Sequence, residues 1–431
     1  MQDSAALLQS PFANGTRLEG FALDRLLAPT QAVVAYLGSA RLSPPVIEYA
    51  TLEEAVGRIL ATDAVAREDH PSHARSTMDG FAVASTSSAP RRRIVGAISM
   101  GHAAPQGIEP DEAMWIPTGG ALPGGADAVV PQEDVEIAGD AIGFSEAVTA
   151  NQFVSARASD IAVGESVLAR GRRIGAAELG VLATLGIVRV PVYRKPRIAV
   201  LSTGDELVDP GGPLAIGEIR DSNRYALAGA LDAMGAIPVH VPRSADTRAA
   251  LSAALRTALE TCDAVITTGG SSVGERDLVP RVVDELHRGA TLVHGLRVKP
   301  GKPTLFAAID GKAVVGLPGN PTSSLMICEA VVRPIVAALT GERHARTTLL
   351  DAIATAPFVG RPGWTHFVPA RLLLHGTTLQ AEPLPIRSAQ TSLLARASGY
   401  ATLGESPARV EAGERIAISL FSCGGAPIVT A

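Results

Sequence analysis

The amino-acid sequence predicts a multidomain α/β protein, on three observations. Residues 196–340 alternate short apolar runs with helical patterns, whereas residues 90–150 and 344–431 contain short alternating runs separated by Gly and Pro turns. The chain has 431 residues, which corresponds to about three domains at roughly 150 residues each. Hydrophobic residues make up 46% and charged residues 19%, as expected of folded domains rather than of a disordered chain.

The segment 196–340 predicts a doubly wound parallel sheet. The apolar runs expected to be strands are 198–201, 237–241, 264–267 and 313–317. The helical patterns between them are one that ends at Gly235, one that opens at Ser244 or Asp246, and one over 278–287. Folds of this kind bind ligands at the carboxyl ends of their strands.

Three further helical signals lie outside this segment. Residues 23–37 carry apolar helical patches, and residues 391–397 form another candidate. Thr51 and Glu54 have the spacing of a capping box before an apolar stripe, which predicts a third helix.

Charge and cysteine content limit the function classes. The formal net charge of −5 argues against a nucleic-acid protein, but a few lysines and backbone N–H groups suffice for an anionic ligand. Three distant cysteines predict neither a disulfide framework nor a clustered zinc site. The N-terminus lacks a basic signal-peptide region, and no apolar run reaches about 18 residues. We therefore expect a cytoplasmic protein without a membrane span.

Gly269 and Gly270 directly follow a predicted strand. Glycine allows positive φ, so successive backbone N–H groups can face an oxyanion, although an ordinary Gly-rich turn explains the pattern equally well. The glycines do not fit G-x-G-x-x-G, and Pro303 breaks the Walker pattern at Gly301-Lys302. Neither a nucleotide-dependent dehydrogenase nor a P-loop NTPase is supported.

Lys299 and Lys302 lie three residues apart in a turn stiffened by Pro300 and Pro303. This pattern predicts a cationic site for phosphate or another oxyanion, against the alternative of a solvated surface turn. Residues 316–321, GLPGNP, follow the last predicted strand and precede a helix whose N-terminal end would face a ligand. A rigid strand-to-helix turn is the alternative there.

Four acidic residues, Asp205, Glu206, Asp246 and Asp277, occupy corresponding places after strands or at helix starts. Each alone is most often a helix cap or a solvated carboxylate. Together with the lysines they suggest an oxyanion bridged by Mg²⁺, which binds carboxylate and phosphate oxygens. The histidines do not form a zinc pattern, and no arrangement of a catalytic Ser/His/Asp or Cys/His set is evident.

Seven segments, in this order along the chain, resemble the molybdopterin molybdenumtransferases, the bacterial MoeA family, which is similar to the E domain of gephyrin. They are 76–82 (STMDGFA), 117–120 with 125–130 (PTGG and GADAVV), 202–207 (STGDEL), 221–224 (DSNR), 269–274 (GGSSVG), 299–303 (KPGKP) and 316–321 (GLPGNP). The likeness extends from about residue 45 to the C-terminus.

The resemblance implies a central molybdopterin-binding, MogA-like α/β domain, an inserted β-domain and a C-terminal β-barrel. The expected bounds are 1–70 for an N-terminal extension and linking domain, continued by 150–194, then 71–149 for the inserted β-domain, 195–343 for the α/β domain and 344–431 for the barrel.

The activity that the resemblance implies is Mg²⁺-dependent insertion of molybdate into adenylylated molybdopterin, with release of AMP. Members are homodimers whose site lies between the α/β domain of one subunit and the inserted β-domain of the other. A molybdopterin adenylyltransferase would supply the substrate. Two alternatives are that the chain is itself such an adenylyltransferase, or a non-enzymatic, gephyrin-like scaffold or ligand carrier.

The site residues carried over by motif fall into two groups. The expected catalytic residues are Asp79, Glu206, Asp246, Asp277, Lys299 and Lys302. The expected ligand-binding residues are Thr118, Asp160, Ser202, Thr203, Gly204, Gly269, Gly270, Ser271, Pro318, Gly319, Asn320 and Pro321. We expect the lysines to hold oxyanions, the Gly269-Gly270 backbone to hold phosphate, and Glu206 with Asp277 to bind Mg²⁺ or polar pterin groups.

The sequence departs from the family pattern in three places. Residues 71–77 read PSHARST where a Phe/Asp/Asn-type sequence is usual, and Ser271 replaces the usual Val. Residues 1–20 extend beyond the usual start, and we assign them no function.

Overall fold

The computed structural model describes residues 26–270, 278–287, 289–343, 347–386, 390–404, 408–422 and 424–430. Its helices are α1 (Pro29–Ser39), α2 (Ala176–Thr184), α3 (Asn223–Ala233), α4 (Arg248–Thr261), α5 (Val279–Leu286), α6 (Pro321–Ile327) and α7 (Arg333–Thr340). A π-helical turn, Cys328–Val332, joins α6 to α7.

Up to residue 193 the chain builds one sheet inserted between paired linking strands. The strands are β1 (Ile47–Ala50), β2 (Ala64–Val65), β3 (Arg75–Ser76), β4 (Gly80–Val83), β5 (Arg91–Ala97), β6 (Glu112–Ile116), β7 (Ala128–Pro131), β8 (Glu136–Ala138), β9 (Ala141–Gly143), β10 (Val154–Ser155), β11 (Ser166–Leu168) and β12 (Val190–Tyr193). Pairs β1–β12, β2–β11 and β3–β10 are antiparallel, and β4 to β9 form a six-stranded sheet in the order β7-β4-β6-β5-β9-β8. The strands before and after this sheet pair with each other, so the β-domain is an insertion.

The alternation along β4 explains why the inserted sheet has a core on each face. Phe81 and Val83 belong to one buried cluster, whereas Ala82 belongs to the cluster on the opposite face. Successive side chains of a strand point to opposite faces, so an all-apolar strand is buried on both.

Residues 197–317 contain the six-stranded central mixed sheet and three short strands outside it. The strands are β13 (Arg197–Ser202), β14 (Leu207–Val208), β15 (Ile219–Arg220), β16 (Ile237–His240), β17 (Ala264–Thr268), β18 (Thr291–His294), β19 (Val298–Lys299), β20 (Leu305–Ile309) and β21 (Lys312–Leu317). The order is β16-β13-β17-β21-β20-β18. Helices pack on both faces: α3 and α6 share a core with Ile198, whereas α4 and α5 share one with Leu201.

The four predicted strands of this sheet are parallel as expected, and two strands that were not predicted extend it in the antiparallel sense at one side. Strands β16, β13, β17 and β21 are parallel, but β20 and β18 are antiparallel to their neighbours. Only Asp310 and Gly311 connect β20 to β21, both at positive φ. Such a two-residue turn imposes an antiparallel hairpin.

The C-terminal strands close into a barrel. They are β22 (Leu349–Ala354), β23 (Phe358–Val359), β24 (Thr365–His375), β25 (Thr378–Pro383), β26 (Gly399–Leu403), β27 (Arg409–Val410), β28 (Arg415–Leu420) and β29 (Val429–Thr430). The ring runs β24-β25-β22-β28-β26 and returns to β24. Strand β19 of the central segment adds to this sheet beside β24.

Two predicted helices are only single 3₁₀ turns. Thr51 and Glu54 do form the capping box, since each backbone N–H donates to the other side chain at 3.2 and 3.4 Å, but the turn covers only Glu53–Ala55. Gly57, at φ +74°, ends it. The candidate at 391–397 is the turn Leu394–Arg396.

The helical run Pro321–Thr340 is long and apolar enough to cross a membrane by composition. However, 72% of its most apolar window is buried inside the protein. This is the environment of a core helix of a folded domain.

We expect Glu329→Ala to destabilise the fold by roughly 3–5 kcal/mol. The Glu329 carboxylate is fully buried, pairs with Arg333, and accepts hydrogen bonds from Ser422 N at 3.1 Å and Ser422 Oγ at 2.9 Å. The substitution leaves the buried guanidinium without its carboxylate. Urea unfolding measures the effect, with Ser422→Ala, expected to cost about 1 kcal/mol, as the matched milder variant. A loss of under about 1 kcal/mol for Glu329→Ala would contradict the assignment.

Candidate functional site

Three loops at one edge of the central sheet bring most of the predicted site residues together. Strands β13, β17 and β21 lie side by side and parallel. Their carboxyl ends lead into Ser202–Gly204, Gly269–Gly270 and Pro318–Pro321. The parallel order places all three loops at the same edge of the sheet.

Asn223, at the start of α3, ties two of these loops together. Its Nδ2 donates to Thr268 Oγ1 and to the Gly319 carbonyl, each at 2.8 Å. Thr268 Oγ1 in turn donates to the Pro318 carbonyl at 3.3 Å. Asn223 lies in the segment 221–224 that resembles the family, but it is not among the residues expected in the site. The asparagine follows no strand of the central sheet, so its position depends on how α3 packs.

Gly269 allows the first and second loops to touch. Its φ is +96°, and a Cβ atom there would stand 2.5 Å from the Thr203 carbonyl oxygen. Any larger residue would push the loops apart, which explains the glycine on structural grounds.

The acidic residues near β13 differ in their surroundings. Asp246 Oδ1 accepts from Thr203 Oγ1 at 2.6 Å, and Asp246 N donates to Asp205 Oδ1 at 3.1 Å. The expectation that Ser244 or Asp246 caps the next helix is wrong, because Thr247 caps α4 by accepting from Ala250 N. Asp246 is therefore available to the site rather than to a helix end.

Glu206 and Ser202 have unused polar atoms. Glu206 is exposed and has no hydrogen-bond or ion-pair partner for its carboxylate within the described residues. Its oxygens lie beside Gly204, where a Cβ atom would stand 2.7 Å from Oε2. Ser202 Oγ is buried and also has no partner in the described part of the chain. Buried polar atoms normally have partners, so this hydroxyl is an unused polar group at the carboxyl end of β13.

The lysine turn, residues 299–303, packs against α6 beside the third loop. Gly301 has φ +107°, and a Cβ atom there would overlap the Ile327 side chain. Thr304 Oγ1 donates to the Gly301 carbonyl at 2.7 Å, which fixes the turn from inside. Lys299 is exposed and has no acidic partner among the residues described. Its positive charge is therefore uncompensated beside the site.

Asp79 and Thr118 form a second polar group, on the inserted sheet. Thr118 N donates to Asp79 Oδ1 at 2.6 Å. The Thr118 backbone and then its side-chain hydrogen bond hold the pKa of the Asp79 carboxyl below its usual range, so Asp79 is charged at neutral pH. Asp160 is exposed on a linking loop. Within the described chain, none of the three is hydrogen-bonded to the α/β loops.

Two predicted site residues, Ser271 and Asp277, lie outside the described residues. In the part of the chain that is described, no group of three or more His, Cys, Asp or Glu side chains is arranged to hold a metal ion.

Comparison with known proteins matches two regions of the chain. Residues 22–186 match the MoeA N-terminal region (domain I and II), and residues 199–338 match a probable molybdopterin binding domain. A molybdopterin molybdenumtransferase of Haemophilus influenzae is 35% identical over 316 residues, which are 72% of this chain and 78% of that protein. A relative of the same name from Staphylococcus aureus is 30% identical over 354 residues, 80% of this chain and 84% of the relative.

The chain belongs to the molybdopterin molybdenumtransferase family. Solved structures of molybdopterin biosynthesis MoeA proteins from Pyrococcus horikoshii share its fold. One covers 92% of this chain and 99% of its own at 31% identity and a TM-score of 0.75. Another covers 92% of this chain and 100% of its own at 25% identity and a TM-score of 0.79. The predicted resemblance and fold class are therefore confirmed.

The two matched regions divide the candidate site of this molybdenumtransferase family member. Asp79, Thr118 and Asp160 fall in the N-terminal region, whereas the three loops and both lysines fall in the molybdopterin-binding region. The site groups thus belong to different parts of the family fold.

We expect Asn223→Ala to lower transferase activity at least tenfold, since it releases the second and third loops from each other. A factor of ten corresponds to about 1.4 kcal/mol, within the range for losing buried hydrogen bonds. Turnover at saturating substrate measures the effect. Ser222→Ala, one residue away, is the matched control and should retain activity. Equal activity of both variants would remove Asn223 from the site.

Proposed function

We propose that this chain inserts molybdenum from molybdate into adenylylated molybdopterin and releases AMP, as a step of molybdenum cofactor biosynthesis. The observation that carries the proposal is the uncompensated charge of Lys299, in a turn that leads into β20 beside the third strand-end loop. Family membership indicates a role in molybdenum cofactor biosynthesis. The residues at this edge of the central sheet supply groups suited to an oxyanion and a phosphorylated pterin.

Each part of the edge has a proposed role. Lys299 and Lys302 hold molybdate or a substrate phosphate as point charges. The Gly269-Gly270 backbone faces a phosphate group, and Thr203 with Asp246 contacts polar groups of the pterin. Pro318 and its loop line the flat side of the ligand.

Mg²⁺ fits the donor chemistry of the first loop. Glu206 presents a carboxylate without a described partner, and Asp205 and Asp246 lie close by. Mg²⁺ is usually bound through one or two carboxylates with phosphate oxygens and waters, so a closed protein cage is not required. When bound, Mg²⁺ would offset the negative charge of phosphate oxygens. Glu206, with Asp277, is the proposed ligand.

The residues of this chain then act through position and charge. No covalent nucleophile is required from the protein. As the two dithiolene sulfurs bond to molybdenum, an oxo ligand of molybdate leaves as water with the thiol protons. A water oxygen bonds to phosphorus as the phosphoanhydride P–O bond breaks, which leaves negative charge on AMP and on the pterin phosphate. The lysine ammonium groups stabilise that charge as it develops. The loops hold the pterin dithiolene against the bound oxyanion, which makes the encounter effectively intramolecular.

We propose that a homodimer completes the site. Asp79 and Thr118 are exposed on the inserted sheet and are not hydrogen-bonded to the α/β loops of their own chain in its described part. A second copy could bring them to the edge of the central sheet. A cytoplasmic molybdopterin adenylyltransferase is the proposed donor of substrate.

The two alternative functions have weaker support. The adenylyltransferase alternative leaves the matched N-terminal region and the barrel without a role. A pure scaffold would not require the uncompensated charge of Lys299 or the unpartnered Glu206 carboxylate.

We expect purified protein with adenylylated molybdopterin and Mg²⁺ to release AMP and form cofactor when molybdate is added. Lys299→Ala should weaken molybdate binding about 10–100-fold, the value of one charge-assisted contact. AMP by chromatography, cofactor by reconstitution of a molybdoenzyme, and molybdate affinity by calorimetry measure these effects. Lys195→Ala is the control. AMP release that ignores molybdate would exclude the proposed transfer, and adenylylation of free molybdopterin would favour the first alternative.

We expect two inactive variants, Asp79→Asn and Lys299→Ala, to restore activity when mixed under conditions that exchange subunits. Half of randomly formed dimers are mixed, and each has one intact site, so about a quarter of wild-type activity should return. Native mass spectrometry verifies that mixed dimers form. If they form and stay inactive, the site lies within one subunit.

A further inference from the structure

A histidine that the sequence analysis left unassigned lies next to the lysine turn. Strand β19 pairs in parallel with β24 of the barrel, and the Cα atom of Lys299 is directly opposite that of His366. Residues in register on neighbouring strands present their side chains to the same face of a sheet. The imidazole and the Lys299 ammonium are therefore neighbours, although 67 positions of sequence separate them.

The His366 ring has polar atoms that the protein does not use. Nδ1 is buried without a hydrogen-bond partner in the described part of the chain. Nε2 has none among the described residues either. The side chain is half-buried overall, so Nε2 is the nitrogen that a ligand can reach.

The charge state of this histidine is set by its surroundings. Burial, and then the positive charge of Lys299, lowers the pKa of His366 to about 4. From the other neighbouring strand, β26, the residue opposite is the apolar Leu403. The ring is therefore neutral near pH 7 and has one N–H group. Because an orphaned buried N–H is rarer than an unused acceptor, the proton belongs on Nε2.

We propose that His366 is a third binding residue of the oxyanion site, whose Nε2–H donates a hydrogen bond to the anion held by Lys299 and Lys302. This inference rests on the proposed function. A neutral donor fixes the orientation of the anion without repelling the two lysines, as a third cation would. It also makes the barrel a contributor to the site, through the β19–β24 pair.

The test measures binding of molybdate alone to the full-length chain by calorimetry. His366→Phe keeps the ring but removes both nitrogens, and we expect affinity to fall about tenfold. His366→Gln keeps a donor of similar reach and should stay within about threefold of wild type. His375→Gln, on the same strand β24 but exposed, is the matched control and should bind as wild type.

A second measurement needs no variant. We expect the His366 ring protons, followed by NMR against pH, to titrate well below the usual range in the free protein. Saturating molybdate should raise that pKa, because a nearby dianion favours the imidazolium. A purely structural histidine would not respond to the anion.

The outcomes separate the two levels of inference. Suppose that Lys299→Ala abolishes molybdate binding, that His366→Phe binds molybdate as wild type does, and that the anion does not shift the His366 pKa. The histidine assignment is then wrong and the oxyanion site stands. If Lys299→Ala also binds normally, the oxyanion assignment itself fails. The proposal is supported if His366→Phe binds molybdate tenfold more weakly while His366→Gln keeps an affinity near that of wild type.

Discussion

The lysine turn is held between two parts of the fold, and the geometry of the candidate site depends on that double anchorage. On one side Gly301 packs so tightly against Ile327 of α6 that no larger residue fits. On the other side Val298 and Lys299 pair with β24 of the barrel. A turn fixed from both sides loses little further conformational entropy when it binds an anion, so little of the binding free energy is spent on ordering the turn.

The strand-end loops are also fixed before a ligand binds, by strands and side-chain hydrogen bonds. Parallel strands bring Ser202–Gly204, Gly269–Gly270 and Pro318–Pro321 to one edge, and the Asn223 amide holds two of them in contact. The glycine at 269 removes the side chain that would separate them. Backbone groups held in place by strands, rather than by flexible side chains, are already oriented when a phosphorylated ligand arrives.

Much of the fold could be predicted from the sequence, because the patterns that mark strands, helices and turns are local. Strand–helix alternation, Gly235 after α3 and the helix that follows residues 316–321 all depend on nearby residues. The hairpin at Asp310-Gly311 has a local turn sequence. The capping box at Thr51 starts only one helical turn, because tertiary contacts and not the cap decide helix length. His366 and Asn223 reach the site only through pairing and packing across distant segments. The domain bounds at 70, 149, 194 and 343 stay predictions.

The proposed function depends on the lysine turn as the oxyanion site. Anomalous diffraction from crystals soaked in tungstate, the heavier analogue of molybdate, tests it most directly. We expect a tungsten peak within hydrogen-bond distance of Lys299 and Lys302, on the side of the turn that faces the barrel strand β24. A peak confined to the Gly269-Gly270 loop, or no peak near either lysine at saturating tungstate, would contradict it.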